Sequence, residues 1–250
     1  MKLNICVPVP IKTSQFDNNL IFIRRVMDIN PEFIELRFDF INNVEELTSE
    51  LIYKLRKSIK TDISTIFTFR HYSEGGNYQI SEDKHLSILK SFINAQPDYI
   101  DIELRSNIEL LNQVVNDAIK NSVNLIFSYH NFEETPPYFD ALNLIKSLKK
   151  KLINENSSKL SNLQNKIYKF IITAQNFKDN LVPLKICKYF REKNQNIISF
   201  CMGELGIFSR IMCPIAGSFL TYASFEHKTA PGQININDMR EIYHLFPKFL

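Results

Sequence analysis

Short runs of apolar, β-branched and aromatic residues recur about every thirty residues along this 250-residue chain. Each run is nearly continuous in apolar character, which is typical of parallel strands that are buried on both faces. The predicted strands span residues 3–9, 33–39, 64–70, 99–104, 124–130, 167–174, 197–203 and 219–225. This repetition is the strongest constraint on the fold.

Amphipathic helical patterns lie between these runs, with apolar residues spaced three or four apart. The predicted helices span residues 43–59, 82–95, 107–120, 139–153, 179–191, 206–212 and 238–246. Asn43 and Asn237 are the predicted N-caps of the first and last helices. The polar residues 154–165 are predicted to connect a helix to the sixth strand. Repeated alternation of strand and helix predicts that residues 1–250 form a single (β/α)8 TIM barrel. About 250 residues is the usual length of such a domain.

Composition excludes several classes of protein. A formal net charge of +3 does not indicate a nucleic-acid-binding surface. No apolar stretch of about 18 residues is present, and Pro8 and Pro10 interrupt the N-terminal run too early for a signal peptide, so we expect a cytoplasmic protein. The four cysteines form no C-x-x-C motif and are expected to be reduced and buried. The sequence indicates no metal site and no glycine-rich nucleotide motif.

Charged residues cluster at the carboxyl ends of the predicted strands, where barrel enzymes carry their active sites. Glu35, Arg37 and Asp39 alternate at the end of the second strand, so all three are expected on one face. The other charged or titratable residues at strand ends or in the following loops are Arg70, Glu74, Asp101, Glu103, His130, Lys169 and Arg210. This set predicts an active site that binds a polar substrate.

Lys169 is the most informative of these residues, because it lies within an apolar strand. Burial disfavours the charged form of an amine, and a neutral amine is a nucleophile towards carbonyl groups. The alternative is a lysine that extends to solvent. His130, at the end of the neighbouring strand, is either structural or a proton carrier next to that amine.

The arginines admit two interpretations as well. Arg37, Arg70 and Arg210 could neutralise nearby carboxylates in a structural network, or Arg210 could bind a substrate carboxylate while the others bind hydroxyl groups. Residues 230–233, Ala-Pro-Gly-Gln, follow the last strand as either an ordinary loop or a lid that brings Gln233 to a ligand.

In their order along the chain, these segments resemble the type I 3-dehydroquinate dehydratase family. The matching pieces are Glu-Leu-Arg-Phe-Asp at 35–39, Thr-Phe-Arg at 68–70, Glu-Gly-Gly at 74–76, Asp-Ile-Glu-Leu at 101–104, Ser-Tyr-His-Asn-Phe at 128–132, Thr-Pro at 135–136, Tyr-Lys-Phe-Ile at 168–171, Met-Gly at 202–203, Ser-Arg at 209–210, Gly-Ser at 217–218 and Ala-Pro-Gly-Gln at 230–233. The resemblance covers nearly the whole chain.

The resemblance implies a homodimeric barrel enzyme of the shikimate pathway that uses neither metal nor cofactor. It implies that Lys169 forms a Schiff base with 3-dehydroquinate, that His130 transfers protons, and that Glu74 orients His130. Arg210 is implied to bind the carboxylate. The rest of the implied pocket consists of Glu35, Arg37, Arg70, Thr229 and Gln233.

Three departures from the family pattern are visible, and two other functions remain open. Thr229 takes the place of the family's serine, Phe170 is bulkier than the usual residue, and the segment before the sixth strand is longer than expected. A class I aldolase would share the lysine on the sixth strand, and a non-enzymatic barrel would bind an acid without turnover.

Overall fold

The computed structural model describes residues 3–160 and 165–246, with the backbone alone for residues 153–160. Eight strands are present: β1 Ile5–Pro10, β2 Phe33–Arg37, β3 Ser64–Thr68, β4 Tyr99–Glu103, β5 Asn124–His130, β6 Ile167–Thr173, β7 Ile197–Met202 and β8 Thr221–Tyr222. The α-helices are α1 Phe16–Asp28, α2 Ser49–Ser58, α3 Glu82–Ala95, α4 Ile108–Lys120, α5 Tyr138–Leu160, α6 Leu181–Glu192, α7 Ile207–Ala216 and α8 Ile236–His244.

The strands form one sheet in the order β7-β6-β5-β4-β3-β2-β1-β8. Neighbouring pairs such as β2 and β3, or β6 and β7, run parallel. This is the (β/α)8 barrel fold that the alternating sequence pattern predicts.

Two compact units can be distinguished within the chain. Unit one comprises residues 1–8, 128–147 and 167–250, and unit two comprises residues 9–127 and 148–166. In unit one, β6 and β7 pair from Tyr168–Ile197 to Thr173–Met202. In unit two, Phe38, Phe67 and Phe92 pack with ring centroids 4.7 to 5.5 Å apart. All three side chains are fully buried, and edge and tilted contacts between aromatic rings add to the stabilisation from burial.

Side-chain caps fix where several helices begin. The hydroxyl of Thr48 accepts a hydrogen bond from Leu51 N at the start of α2, and Ser81 does the same for α3. Asn107 caps α4 by accepting from Glu109 N. Each such cap satisfies an amide that the helix itself leaves without a partner, and is worth about 1 kcal/mol.

Several predicted boundaries are wrong for local reasons. Asn43 caps only a short 3-10 helix, Val44–Glu46, and a separate helix begins after Thr48. Asn235, not Asn237, caps α8. Helix α1 was not predicted, because its first turn is polar and its N-cap residue Gln15 makes no side-chain cap.

Other elements differ in length from the prediction. Helix α5 continues to Leu160, so most of the predicted 154–165 connection is helical, and residues 161–164 lie outside the described part of the chain. Helix α7 continues to Ala216 and ends at Gly217, whose φ of 115° is in the left-handed region. Strand β8 has only two residues.

Three further expectations concern thiols, membranes and metals. All four cysteines are free and buried, as predicted. Within residues 3–160 and 165–246, no helix is long and apolar enough to cross a membrane. The same residues contain no group of three or more His, Cys, Asp or Glu side chains that could hold a metal ion.

Candidate active site

Lys169 lies in the middle of β6 with only 5% of its surface exposed. Its Nζ donates a hydrogen bond of 3.1 Å to the Tyr222 hydroxyl on β8, and it lies 4.6 Å from the centroid of the same ring. The side chain therefore does not extend to solvent, which was the alternative open from the sequence. Its amine is held against an aromatic ring within unit one.

His130 lies on the same face of the sheet as Lys169. The residues next to them in sequence, Tyr129 and Phe170, stack ring on ring with centroids 5.0 Å apart. Side chains alternate between the two faces of a strand. Because Tyr129 and Phe170 stack on one face of the sheet, His130 and Lys169 lie on the opposite face. His130 is half-buried, and its ring stacks against Phe132 at 6.3 Å.

Arg210, on α7, is a buried guanidinium whose protein partners are unusual. Its Cζ lies 4.3 Å from the centroid of the Phe200 ring, and Nη2 donates to the Pro231 carbonyl at 3.1 Å. Its Nε is buried without a hydrogen-bond partner among the described residues, and none of their carboxylates pairs with the guanidinium. Burial lowers the pKa of Arg210 to about 10.

Lys169 and Arg210 share one aromatic pair. The rings of Phe200 and Tyr222 lie 6.1 Å apart; the amine contacts the Tyr222 ring and the guanidinium contacts the Phe200 ring. Cation–π contacts of this kind give an attraction of about 0.5 to 2 kcal/mol without neutralising the charge. Positive charge at Arg210 therefore stays available for an anionic ligand.

A chain of buried polar contacts positions the helix that carries Arg210. Asn180 accepts a hydrogen bond from Ser209 N at 2.9 Å and donates to Leu205 O at 2.7 Å. Ser209 Oγ in turn accepts from Cys201 N on β7 at 2.9 Å. On the other side, Thr221 Oγ1 donates to the Arg210 carbonyl at 2.7 Å. These bonds fix the first turns of α7 to β7 and β8.

The loop after β8 closes on itself through Gln233, which is 2% exposed. Its Oε1 accepts from Thr229 N at 2.8 Å, and its Nε2 donates to Thr229 Oγ1 at 3.2 Å. The hydroxyl that Thr229 retains in place of the family's serine is thus used in the loop. Gly232 has a φ of 75°, and a Cβ there would lie 2.2 Å from Gly203 O, so only glycine allows this approach.

In unit two, Arg37 and Asp39 form a bidentate ion pair. Nε donates to Oδ1 at 2.8 Å and Nη2 donates to Oδ2 at 2.7 Å. The prediction that Asp39 continues the second strand is wrong, because β2 ends at Arg37 and a 3-10 helix, Phe38–Phe40, begins there. Glu35 remains on the strand, is 2% exposed, and accepts from Thr68 Oγ1 at 2.8 Å.

Arg70 is the centre of a larger buried network in unit two. Its Nη2 donates to Asp101 at 2.8 Å and its Nη1 to Glu103 at 2.7 Å. Burial lowers the pKa of Arg70, but the carboxylates of Asp101 and Glu103, with Glu74 and Glu35, outweigh it, so the net pKa is well above the ordinary value. Arg37 and Arg70 therefore fit the structural-network interpretation, whereas Arg210 does not.

Glu74 is buried at 1% exposure in a tight turn after β3. Gly75 adopts a φ of 85°, and Gly76 passes so close to Arg70 that a Cβ there would lie 1.8 Å from its carbonyl oxygen. The two glycines are thus required by the backbone of the turn that carries Glu74.

The structure brings together part of the predicted set within each unit. Lys169, His130, Arg210, Thr229 and Gln233 belong to unit one, and Glu35, Arg37, Arg70 and Glu74 belong to unit two. Sequence reasoning missed Tyr222, Phe200 and Asn180. In the sequence, Tyr222 and Phe200 look like ordinary apolar strand residues, and no local spacing relates them to Lys169 and Arg210.

Comparison with known proteins identifies the family. The model of the type I 3-dehydroquinase family matches residues 5–249. The chain belongs to the type I 3-dehydroquinase family. A Clostridioides difficile 3-dehydroquinate dehydratase is 32% identical over 249 residues, covering 98% of this chain and 92% of that protein. A Thermococcus onnurineus 3-dehydroquinate dehydratase is 34% identical over 175 residues, covering 70% of this chain and 73% of that protein.

The solved structures agree with this membership. A crystal structure of type I 3-dehydroquinate dehydratase from Clostridium difficile, with covalent modified comenic acid, superposes with a TM-score of 0.81 at 30% identity. The match covers 100% of this chain and 94% of that one. Membership of the type I 3-dehydroquinase family excludes the class I aldolase that the sequence left open.

Proposed function

We propose that this chain is a type I 3-dehydroquinate dehydratase, a hydro-lyase of the shikimate pathway, and that it acts through a Schiff base on Lys169. The reaction removes water from 3-dehydroquinate to give 3-dehydroshikimate. Family membership over residues 5–249 supports the overall reaction. The roles of individual residues rest on the geometry of unit one.

One observation carries the proposal: the buried Lys169 amine and the buried Arg210 guanidinium lie on the same pair of aromatic rings. A substrate that fits them must offer a group that reacts with an amine and a group that pairs with a guanidinium. The ketone and the carboxylate of 3-dehydroquinate meet both requirements. A buried amine as nucleophile also agrees with the covalent modified comenic acid in the Clostridium difficile structure.

The proposed reaction begins when Lys169 Nζ attacks the C3 ketone, and water is lost to form the imine. The imine withdraws electrons, so that His130 can remove a proton from C2 and leave an enamine. The enamine then expels the C1 hydroxyl, which departs as water with the proton carried by His130. Hydrolysis of the imine consumes one water and releases the product, so the net change is the loss of one water.

Borohydride trapping tests the covalent step. Reduction of the chain in the presence of 3-dehydroquinate is expected to add the mass of the reduced substrate at Lys169, located by peptide mapping. Turnover is followed by the ultraviolet absorbance of the conjugated product. A chain that binds substrate without trapping or turnover would instead be the non-enzymatic acid-binding barrel considered above.

The remaining assignments follow the family resemblance. We propose that Glu74 orients His130, that Arg210 holds the carboxylate, and that Gln233 and Thr229 close the pocket through the loop after β8. Glu35, Arg37 and Arg70 are proposed to bind substrate hydroxyls or support the residues that do. Single substitutions at each position, measured by kcat/KM, separate binding from proton transfer.

The proposed enzyme is a cytoplasmic homodimer whose residues 1–250 form one catalytic domain. Support for these three features comes from the resemblance and from the composition of the chain. Sedimentation equilibrium at several concentrations tests the dimer, and cell fractionation tests the location.

A further inference from the structure

The Tyr222 hydroxyl accepts a hydrogen bond from the Lys169 amine, with Nζ and Oη 3.1 Å apart and both side chains at most 5% exposed. We propose that Tyr222 is a further catalytic residue, which orients the Lys169 amine and carries a proton from nitrogen to oxygen during imine formation. This inference rests on the proposed function, since it assigns a role in the Schiff-base step.

Tyr222 is placed rigidly enough to orient a flexible side chain. Its backbone pairs with Cys6 of β1, and its ring lies 6.1 Å from the Phe200 ring. Lysine has four rotatable bonds, so a free amine samples many positions. A fixed hydroxyl that accepts one N–H restricts the remaining positions of the amine and so directs its lone pair.

The covalent step requires a proton to move from nitrogen to oxygen. Attack forms the C–N bond and breaks the carbonyl π bond, which leaves positive charge on nitrogen and negative charge on oxygen. A phenol is both donor and acceptor, so Tyr222 Oη can take a proton from nitrogen while its own proton passes to the carbinolamine oxygen. The phenol is regenerated, and a second proton, from protonated His130, releases that oxygen as water.

The substitution Tyr222→Phe isolates this role because it removes only the hydroxyl. The ring that contacts Lys169 and Phe200 remains, so packing in the unit-one core is kept. Tyr168→Phe is the matched control. Tyr168 precedes Lys169 on β6, is 4% exposed, and directs its ring to the opposite face, 6.5 Å from the Phe190 ring of α6.

The experiment mixes each variant rapidly with 3-dehydroquinate and quenches with borohydride at increasing times. The fraction of the chain that gains mass at Lys169 gives the rate of imine formation. We expect Tyr222→Phe to form the imine about tenfold more slowly, the effect of losing one ordinary hydrogen bond in the transition state. Elimination within the formed imine, seen as loss of the mass of one water from the trapped adduct, should keep its wild-type rate. Tyr168→Phe should match wild type in both steps.

The outcomes separate the inference from the proposed function. Absence of trapping on wild-type Lys169 overturns both. Normal trapping by wild type with equally fast trapping by Tyr222→Phe overturns the role of Tyr222 alone. Slowing of imine formation and of the elimination within the imine by the same factor, or equal slowing in Tyr168→Phe, also overturns it, because a structural defect would not select the first step.

Discussion

Substitution of Arg210 by methionine should strongly weaken substrate capture while leaving the fold at least as stable as before. Most substitutions of a large buried side chain destabilise a protein. Arg210 differs because its guanidinium is 1% exposed and, within the described residues, pairs with no carboxylate. Methionine has a similar length and carries no charge, so it removes the cost of burying that charge.

The size of the effect follows from the pKa of Arg210. Burial lowers this pKa to about 10, and each unit corresponds to about 1.4 kcal/mol, so the buried charge costs about 3 kcal/mol in the folded state. The folded state binds its proton less tightly than the unfolded state, so the cost is complete below about pH 10 and fades at higher pH. The hydrogen bond to Pro231 and the contact with Phe200 offset this cost by about 2 kcal/mol together.

We therefore expect the free energy of unfolding of Arg210→Met to stay unchanged or to rise by about 1 kcal/mol, as measured by urea denaturation near pH 7. The value of kcat/KM should fall by about a hundredfold to a thousandfold, because charged hydrogen bonds to the substrate are lost. The control is Arg70→Met, which leaves Asp101 and Glu103 buried without their cation. That variant should lose about 3 to 5 kcal/mol.

Two results would refute this reasoning. If Arg210→Met loses as much stability as Arg70→Met, the guanidinium has a structural counter-ion, and its charge is not held for a ligand. If kcat/KM stays at the wild-type value, Arg210 does not bind the carboxylate.

Three further predictions concern the nucleophile, the proton carrier and the turn at Glu74. Lys169→Ala should lose both borohydride trapping and turnover, measured by mass and by product absorbance; retained turnover would exclude Lys169 as the nucleophile. His130→Ala should still form the imine, slowly, but release almost no product, and full activity would contradict its role in proton transfer. Gly76→Ala should lower the free energy of unfolding by more than 1 kcal/mol, because the added Cβ would lie 1.8 Å from Arg70 O; an unchanged urea midpoint would contradict the close approach.

The barrel fold could be predicted from sequence because the pattern of an apolar strand followed by an amphipathic helix repeats along the chain. Seven of the eight α-helices in the described part of the chain could be predicted as elements; the pattern does not predict α1, because its polar first turn lacks a capping side chain. The length of β8 could not be predicted, since apolar residues from 219 to 225 look alike in sequence while only Thr221 and Tyr222 form ladder pairs. Capping residues such as Asn235 depend on backbone angles that neighbouring asparagines do not reveal.

For the candidate site, the sequence indicates which charged residues are unusual but not which residues they contact. Lys169, Arg70 and Arg210 could be found because charge within or beside an apolar strand is unusual, and all three are buried. Their partners could not be assigned, because pairing depends on three-dimensional position. Arg70 meets Asp101 and Glu103 about thirty residues away, whereas Arg210 meets the ring of Phe200.

The two residues of β8 have a mechanical consequence for the proposed chemistry. Thr221 donates a hydrogen bond to the backbone carbonyl of Arg210. Tyr222, the next residue, accepts a hydrogen bond from the amine of Lys169. The backbone of Arg210 and the amine of Lys169 are therefore tied to two adjacent peptide units, a path too short to stretch or bend appreciably. A displacement of β6 or α7 relative to this common anchor must break one of the two hydrogen bonds, so the two elements are expected to move together.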